Sequence, residues 1–165
     1  MKSEDGFTLI ELLITVALIG ILGAIAIMNT PDMLANYRVR GAARQLYSDM
    51  QMARLRAVKE GKDFAVEFSG NTYCVKNQVN STLIPPAVDG WTAGCTTTND
   101  TIIKTVALSS EYAGVSITSS PTRNIFYPNG TAGRDGGASI TVTIAKGART
   151  IQIIPNTGTG NIRMQ

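Results

Sequence analysis

Near its start the chain carries one long apolar run, FTLIELLITVALIGILGAIAIM, from Phe7 to Met28, in which the only charged residue is Glu11. Wound as a helix at 1.5 Å per residue, these 22 residues span about 33 Å, the thickness of a bilayer core. A cleaved signal peptide is the competing reading, because Ala24-Ile25-Ala26 offers a small-x-small peptidase site at the end of an apolar stretch. Glu11 argues against it. A carboxylate costs about 2.5 to 3.5 kcal/mol at mid-bilayer and less nearer an interface, so a plain anchor or secretion signal would gain from leucine there. A buried acid needs a partner, and no basic residue lies within the run. The partner has to come from elsewhere.

At 165 residues, 44% of them hydrophobic and 16% charged, the chain has room for one modest domain beyond this segment. The absence of histidine excludes imidazole general-base catalysis, histidine triads and histidine metal sites. Cys74 and Cys95, with 20 residues between them, are too few for an intracellular zinc site and fit a single disulfide in an oxidising compartment. Such a bond would stabilise by about 3 kcal/mol. Two buried free thiols are the alternative.

After the apolar run, Asn29-Thr30-Pro31-Asp32 predicts a kink or break, since proline has no amide to donate and restricts the residue before it. From Arg38 to Glu60 the residues Val39, Ala43, Leu46, Met50, Ala53 and Ala57 recur at steps of four and three. That is one helical stripe, which should pack on a sheet, with Gly61 as its stop. Arg38, Arg40, Arg44, Arg54, Arg56 and Lys59 occupy the other face, read as solvated or as contacting acidic patches or lipid headgroups. From Lys62 the pattern changes to short alternating runs. FAVEF places Phe64, Val66 and Phe68 on one side; TYCVK follows a turn at Gly70-Asn71; ASITVTIAKGARTIQIIP reads as two strands about Lys146-Gly147-Ala148. TIIKTVAL, GVSIT and NIFYPNG look like further strands, and Asn77 to Asp100 like a polar excursion holding Trp91 and Cys95. This is an antiparallel β domain.

The opening MKSEDG followed by FTLIELL resembles the class III signal of type IV pilins and of the pseudopilins of type II secretion: a short polar leader, glycine, phenylalanine, and glutamate four residues later. Lys2 and the starting amine against Glu4 and Asp5 leave this leader close to neutral, where pilin leaders tend to be basic. The resemblance implies that an inner-membrane prepilin peptidase cuts between Gly6 and Phe7 and methylates the Phe7 amine. It implies that Glu11 faces the amino group of Phe7 on a neighbouring subunit, a pairing that favours one axial stagger and so sets the assembly register. Partners would be other pilins or pseudopilins in a hetero-oligomeric filament, the peptidase and an inner-membrane assembly platform. The chain would be a single-pass inner-membrane protein with its C-terminal domain periplasmic, and would also occur in the assembled filament.

GAARQLYSDMQMARLRAVKEGKDFAVEF, IFYPNGTA and GTGNIRMQ are similar to the GspH/FimT branch of minor pseudopilins and minor pilins. That likeness implies an α+β fold, a long N-terminal helix, transmembrane then amphipathic, packed on an antiparallel β-sandwich-like domain. It also implies low-copy incorporation at or near a filament tip. The organisation expected is a leader over 1–6, an assembly helix over 7–28, a kink and amphipathic helix over 29–61, and a β domain over 62–165.

Nothing in the sequence reads as a catalytic, cofactor or metal site. The nine acids beyond Glu11 are scattered without metal-loop spacing. Gly133 to Gly137, GRDGG, lacks the helix or further acids of an ion or phosphate loop and reads as a surface turn. Asn80-Ser81-Thr82 matches a glycosylation acceptor by composition alone. Nucleic acid is the alternative partner. The exported part keeps 14 of 15 basic and 9 of 12 acidic residues, a net charge of about +5. Some FimT-like minor pilins resemble DNA-uptake proteins with a C-terminal Gly-Arg-x-Arg motif, but here Gly160-Asn161-Ile162-Arg163 has asparagine where the first arginine should stand. The residues for a DNA patch are Arg134, Lys146, Arg149 and Arg163.

Overall fold

The computed structural model describes residues 6–27, 30–78, 91, 94–96, 100–120, 122–133, 141–156 and 158–165. The chain divides into two units, Met1–Ala35 and Asn36–Gln165.

In the first unit the apolar run forms α1 (Leu9–Ile27), 19 residues long, and every described side chain from Gly6 to Ile25 is exposed. Among the described residues no helix is long and apolar enough to cross a membrane. At 19 residues α1 measures about 28 Å against a bilayer core of roughly 30 Å, and the run it belongs to continues to Met28, outside the described residues. The next helix, α2 (Thr30–Glu60), begins two residues later. The break expected over Asn29 to Asp32 therefore does not reach Thr30–Asp32, which are helical. Pro31 stands in the first turn, where a missing N–H leaves no bond unmade.

In the second unit α2 buries Val39, Ala43, Leu46, Met50, Ala53 and Ala57, with Ala42 beside them, as the stripe requires. Gly41 interrupts its helix-forming sequence for a packing reason: a Cβ there would come within 2.8 Å of the Tyr112 ring. Tyr112 in turn donates its hydroxyl to Gln45 Oε1 at 2.7 Å. The helix ends at Gly61, whose φ of 65° suits a left-handed stop and whose N–H reaches the Ala57 carbonyl at 3.0 Å.

The strands follow as β1 (Phe64–Ser69), β2 (Thr72–Gln78), β3 (Asp100–Ala107), a one-turn α3 (Leu108–Glu111), β4 (Ser116–Ser120), β5 (Arg123–Phe126), β6 (Ala132–Gly133), β7 (Thr141–Lys146), β8 (Arg149–Pro155) and β9 (Ile162–Met164). They pair antiparallel in two sheets, β3-β2-β1-β5-β6 and β4-β7-β8-β9. One core joins the α2 stripe to Phe64, Val66, Tyr73 and Val75 of the first sheet and to Ile117, Ile144, Ile153 and Ile162 of the second. The expected β7-β8 hairpin turns at Gly147-Ala148, with Gly147 at φ 60°. β1 departs from its expected alternation. Phe64, Val66 and Phe68 face the core, but Ala65 and Glu67 on the other side are buried too.

Candidate functional site

At the N-terminal end Gly6 to Thr8 precede the helix, and Phe7 is 84% exposed. Thr8 caps α1: the Glu11 N–H donates to Thr8 Oγ1 at 3.3 Å and the Leu12 N–H to the Thr8 carbonyl at 3.2 Å. Thr8-x-x-Glu11 has the spacing of a capping box, and the unpaired N–H groups of a first turn favour a carboxylate. Beside the assembly role that the resemblance implies, Glu11 thus stands where the helix start itself favours an acid, a local preference that the Thr-x-x-Glu spacing signals. Glu11 is exposed and, among the described residues, has no ion-pair partner.

The buried back of β1 is explained by a charged cluster under the disulfide. Cys74 and Cys95 are bonded, with Cα atoms 5.8 Å apart, so the free-thiol alternative falls. Lys76, fully buried, reaches Glu67 Oε2 at 2.6 Å and Asp100 Oδ2 at 3.0 Å. Arg123 donates from Nε to Glu67 Oε2 at 3.0 Å. The Gly94 peptide serves both signs: its N–H meets Glu67 Oε1 at 2.5 Å and its carbonyl accepts from Lys76 at 3.2 Å. Lys76 and Arg123 lie 5.6 and 5.9 Å from the Trp91 ring centre, within cation–π reach. Burial alone would push the Glu67 carboxyl up, yet the bonds from Arg123, Lys76 and Gly94 together hold it below its ordinary value. A third buried acid, Asp49 on α2, accepts from Tyr73 at 2.7 Å and pairs with Lys104 at 2.7 Å, tying the helix to β2 and β3. These side chains bond one another, and the arrangement is structural.

The basic residues named from the sequence do not come together as one patch. Lys146 donates to the Ala113 carbonyl at 2.6 Å. Arg149 shares a β8 face with Ile151 and the buried Ile153, whereas Arg163, paired opposite Ile154, points to the other side of the sheet. Arg134 lies outside the described residues, as do Asp135 to Gly137 of the GRDGG stretch and Asn80-Ser81-Thr82. On α2, Arg40, Arg44 and Lys59 are exposed as expected, but Arg54 is not a free solvated charge. Its guanidinium donates to the carbonyls of Gly130 and Thr159 at 3.0 and 2.9 Å and to Asn161 Oδ1 at 3.2 Å. Asn161 is thereby a partner of Arg54. Gly160, at φ 65°, lies where an added Cβ would run into the Gly130 carbonyl.

A capped, exposed apolar helix at the start and a helix-backed pair of antiparallel sheets define a pilin-like subunit. Residues 42–159 match the family model of the type II transport protein GspH, and residues 1–27 match the prokaryotic N-terminal methylation motif. The chain belongs to the GspH family. Among solved structures, the type IV minor pilin FimU of Pseudomonas aeruginosa superposes with a TM-score of 0.56 at 14% identity, over 79% of this chain and 90% of that one. GspH of E. coli gives 0.56 at 12%, over 83% and 94%, and the minor pseudopilin EpsH of Vibrio cholerae 0.50 at 15%, over 78% and 96%. At such identities the likeness is one of fold. Two fimbrial proteins of P. aeruginosa are 48% identical over 63 residues, 38% of this chain, which spans only 40% of their length. The family and its structural neighbours are pilin subunits, not enzymes.

Proposed function

We propose that this chain is a minor pilin or pseudopilin that enters a type II secretion pseudopilus or a type IV pilus at or near its tip and starts or caps assembly. In this reading the inner-membrane prepilin peptidase cuts between Gly6 and Phe7, Phe7 is N-methylated, and the run from Phe7 to Met28 anchors the protein in the inner membrane with the domain from Lys62 onward in the periplasm. The assembly platform and other pilins are its partners. The observation that carries the reading is Phe7 and Glu11 at the head of an apolar helix whose described side chains are all exposed. A surface of that size and polarity calls for lipid or other helices. The Cys74–Cys95 bond is in keeping with an oxidising compartment.

Mass spectrometry of membrane-extracted protein tests the reading: a chain beginning at N-methylated Phe7 is expected, and a soluble form beginning at Ile27 would replace it with an ordinary signal peptide. A bulkier side chain at Gly6 should block the cut. The DNA-uptake alternative has weaker support, because Lys146 is engaged and Arg149 and Arg163 face opposite ways. Duplex DNA should bind weakly, with a steep salt dependence and little loss in Arg163→Gln.

A further inference from the structure

On the Asn36–Gln165 unit, α2 and the end of the second sheet leave a groove between them. One part, of about 200 Å³, is lined by Arg40, Arg44, Ile151, Met164 and Gln165. A second, of about 180 Å³, shares Arg40 and Ile151 and extends the groove to Arg149. Each part is smaller than the roughly 300–1,000 Å³ of a small-molecule site, and their continuity suits an extended chain. Three exposed arginines edge the groove, and among the described residues none of them pairs with an aspartate or glutamate and no aspartate or glutamate side chain lines it. The floor is apolar, from Ile151 and the half-exposed Met164.

The backbone adds a second element. Gln152 and Gln165 exchange both of their N–H···O bonds, each at 2.9 Å, so the adjacent pair Ile153 and Met164 is a non-bonded one. The N–H and carbonyl of Met164 therefore point away from β8, along the side where β9 ends the sheet. Edges of this kind accept a further strand, with side-chain pockets setting the preference. A second copy of this chain suits the groove poorly, since its net charge is +3 and like charges meeting at an interface are repelled.

We propose that this groove docks an extended acidic segment of a different protein, with carboxylates on Arg40, Arg44 and Arg149 and an apolar side chain between them on Ile151 and Met164. The proposal rests on the filament-subunit reading and deepens it by giving one partner its chemistry. Its residues lie outside the processing motif, so failure here would leave the Phe7 result unaffected.

The test is fluorescence anisotropy of the detergent-solubilised full chain with a labelled decapeptide repeating Glu-Ser-Val-Ser, which puts glutamate and valine on one face of an extended chain, beside a counterpart with lysine for glutamate. Binding of the acidic peptide alone is expected, weakening with salt and falling by about tenfold or more in the Arg40→Gln, Arg44→Gln double variant. That variant should melt like the wild type, because both side chains are exposed. Arg163→Gln, on the opposite face of β9, should bind unchanged. No binding, equal loss in Arg163→Gln, competition by duplex DNA at the same strength, or sedimentation showing that the face joins two copies of this chain would each overturn the proposal.

Discussion

At position 67 burial and pairing pull a carboxyl in opposite directions, and pairing wins. Because Glu67 titrates below its unfolded value of 4.5 in the folded chain, its contribution to stability is present above that pH and is lost as pH falls through the folded value. Lys76→Met removes the ammonium that bridges Glu67 and Asp100 and leaves two carboxylates buried together, so destabilisation by about 3–5 kcal/mol is expected at pH 7. Acid weakens the wild type but relieves the variant. Melting curves at pH 7 and pH 4 should show the gap between them narrowing, and a constant gap would mean that the lysine stabilises by packing rather than by charge. Tyr73 has the other sign. Burial, then its bond to Asp49, pushes the phenol up from 10.0, so its share of stability is present below about pH 10 and is lost in stronger alkali. Tyr73→Phe should remove that alkaline loss, as read from melting above pH 10.

Among the elements, α2 was the most legible from sequence, because one apolar residue every three or four positions has no other helical meaning. Leu46 and Leu55 make the contrast testable: Leu46 is fully buried and Leu55 is 68% exposed. Leu46→Ala should cost about 2–5 kcal/mol and Leu55→Ala under about 0.5 kcal/mol, measured by denaturant melts. The strand pairs about Gly70-Asn71 and Gly147-Ala148 were legible for the same reason, a period of two on either side of a turn. What lay hidden was the back of β1. Alternation gives one buried side, and nothing in FAVEF shows that Glu67 would be covered by residues about 25 positions further on. Buried charge is a long-range property, invisible to any local period. Cys74–Cys95 pins that cover, so Cys95→Ser should cost about 3 kcal/mol and red-shift Trp91 emission while the α2 core stays folded. Free thiols in the exported native protein would defeat this.

For the chain as a whole, the processing motif was legible as a short pattern and the antiparallel strands as a change of period, while the two-sheet arrangement came with the family resemblance; the grip of Arg54 on Gly130, Thr159 and Asn161 links residues 76 to 107 positions apart and had no sequence signal. In the proposed reading Glu11 sets the assembly register, and its place in the first turn of α1 gives its carboxylate a second, local use. The Thr8 cap uses the Glu11 backbone N–H and is kept in either variant; Glu11→Leu removes the charge and all side-chain hydrogen bonding, whereas Glu11→Gln removes the charge but keeps a side chain of the kind that completes a capping box. Membrane insertion should be unchanged or slightly better in both, since a buried carboxylate is the costly group. If Glu11 sets the axial register by meeting the Phe7 amine of a neighbour, both variants are still cut after Gly6 and still fractionate with the inner membrane, yet both drop out of sheared filaments and of crosslinked minor-pilin complexes. If its importance lies in starting the helix, Glu11→Gln is incorporated like the wild type and only Glu11→Leu is lost. Immunoblots of sheared filaments from cells carrying each variant separate the two, and incorporation of Glu11→Gln at wild-type levels would end the register argument.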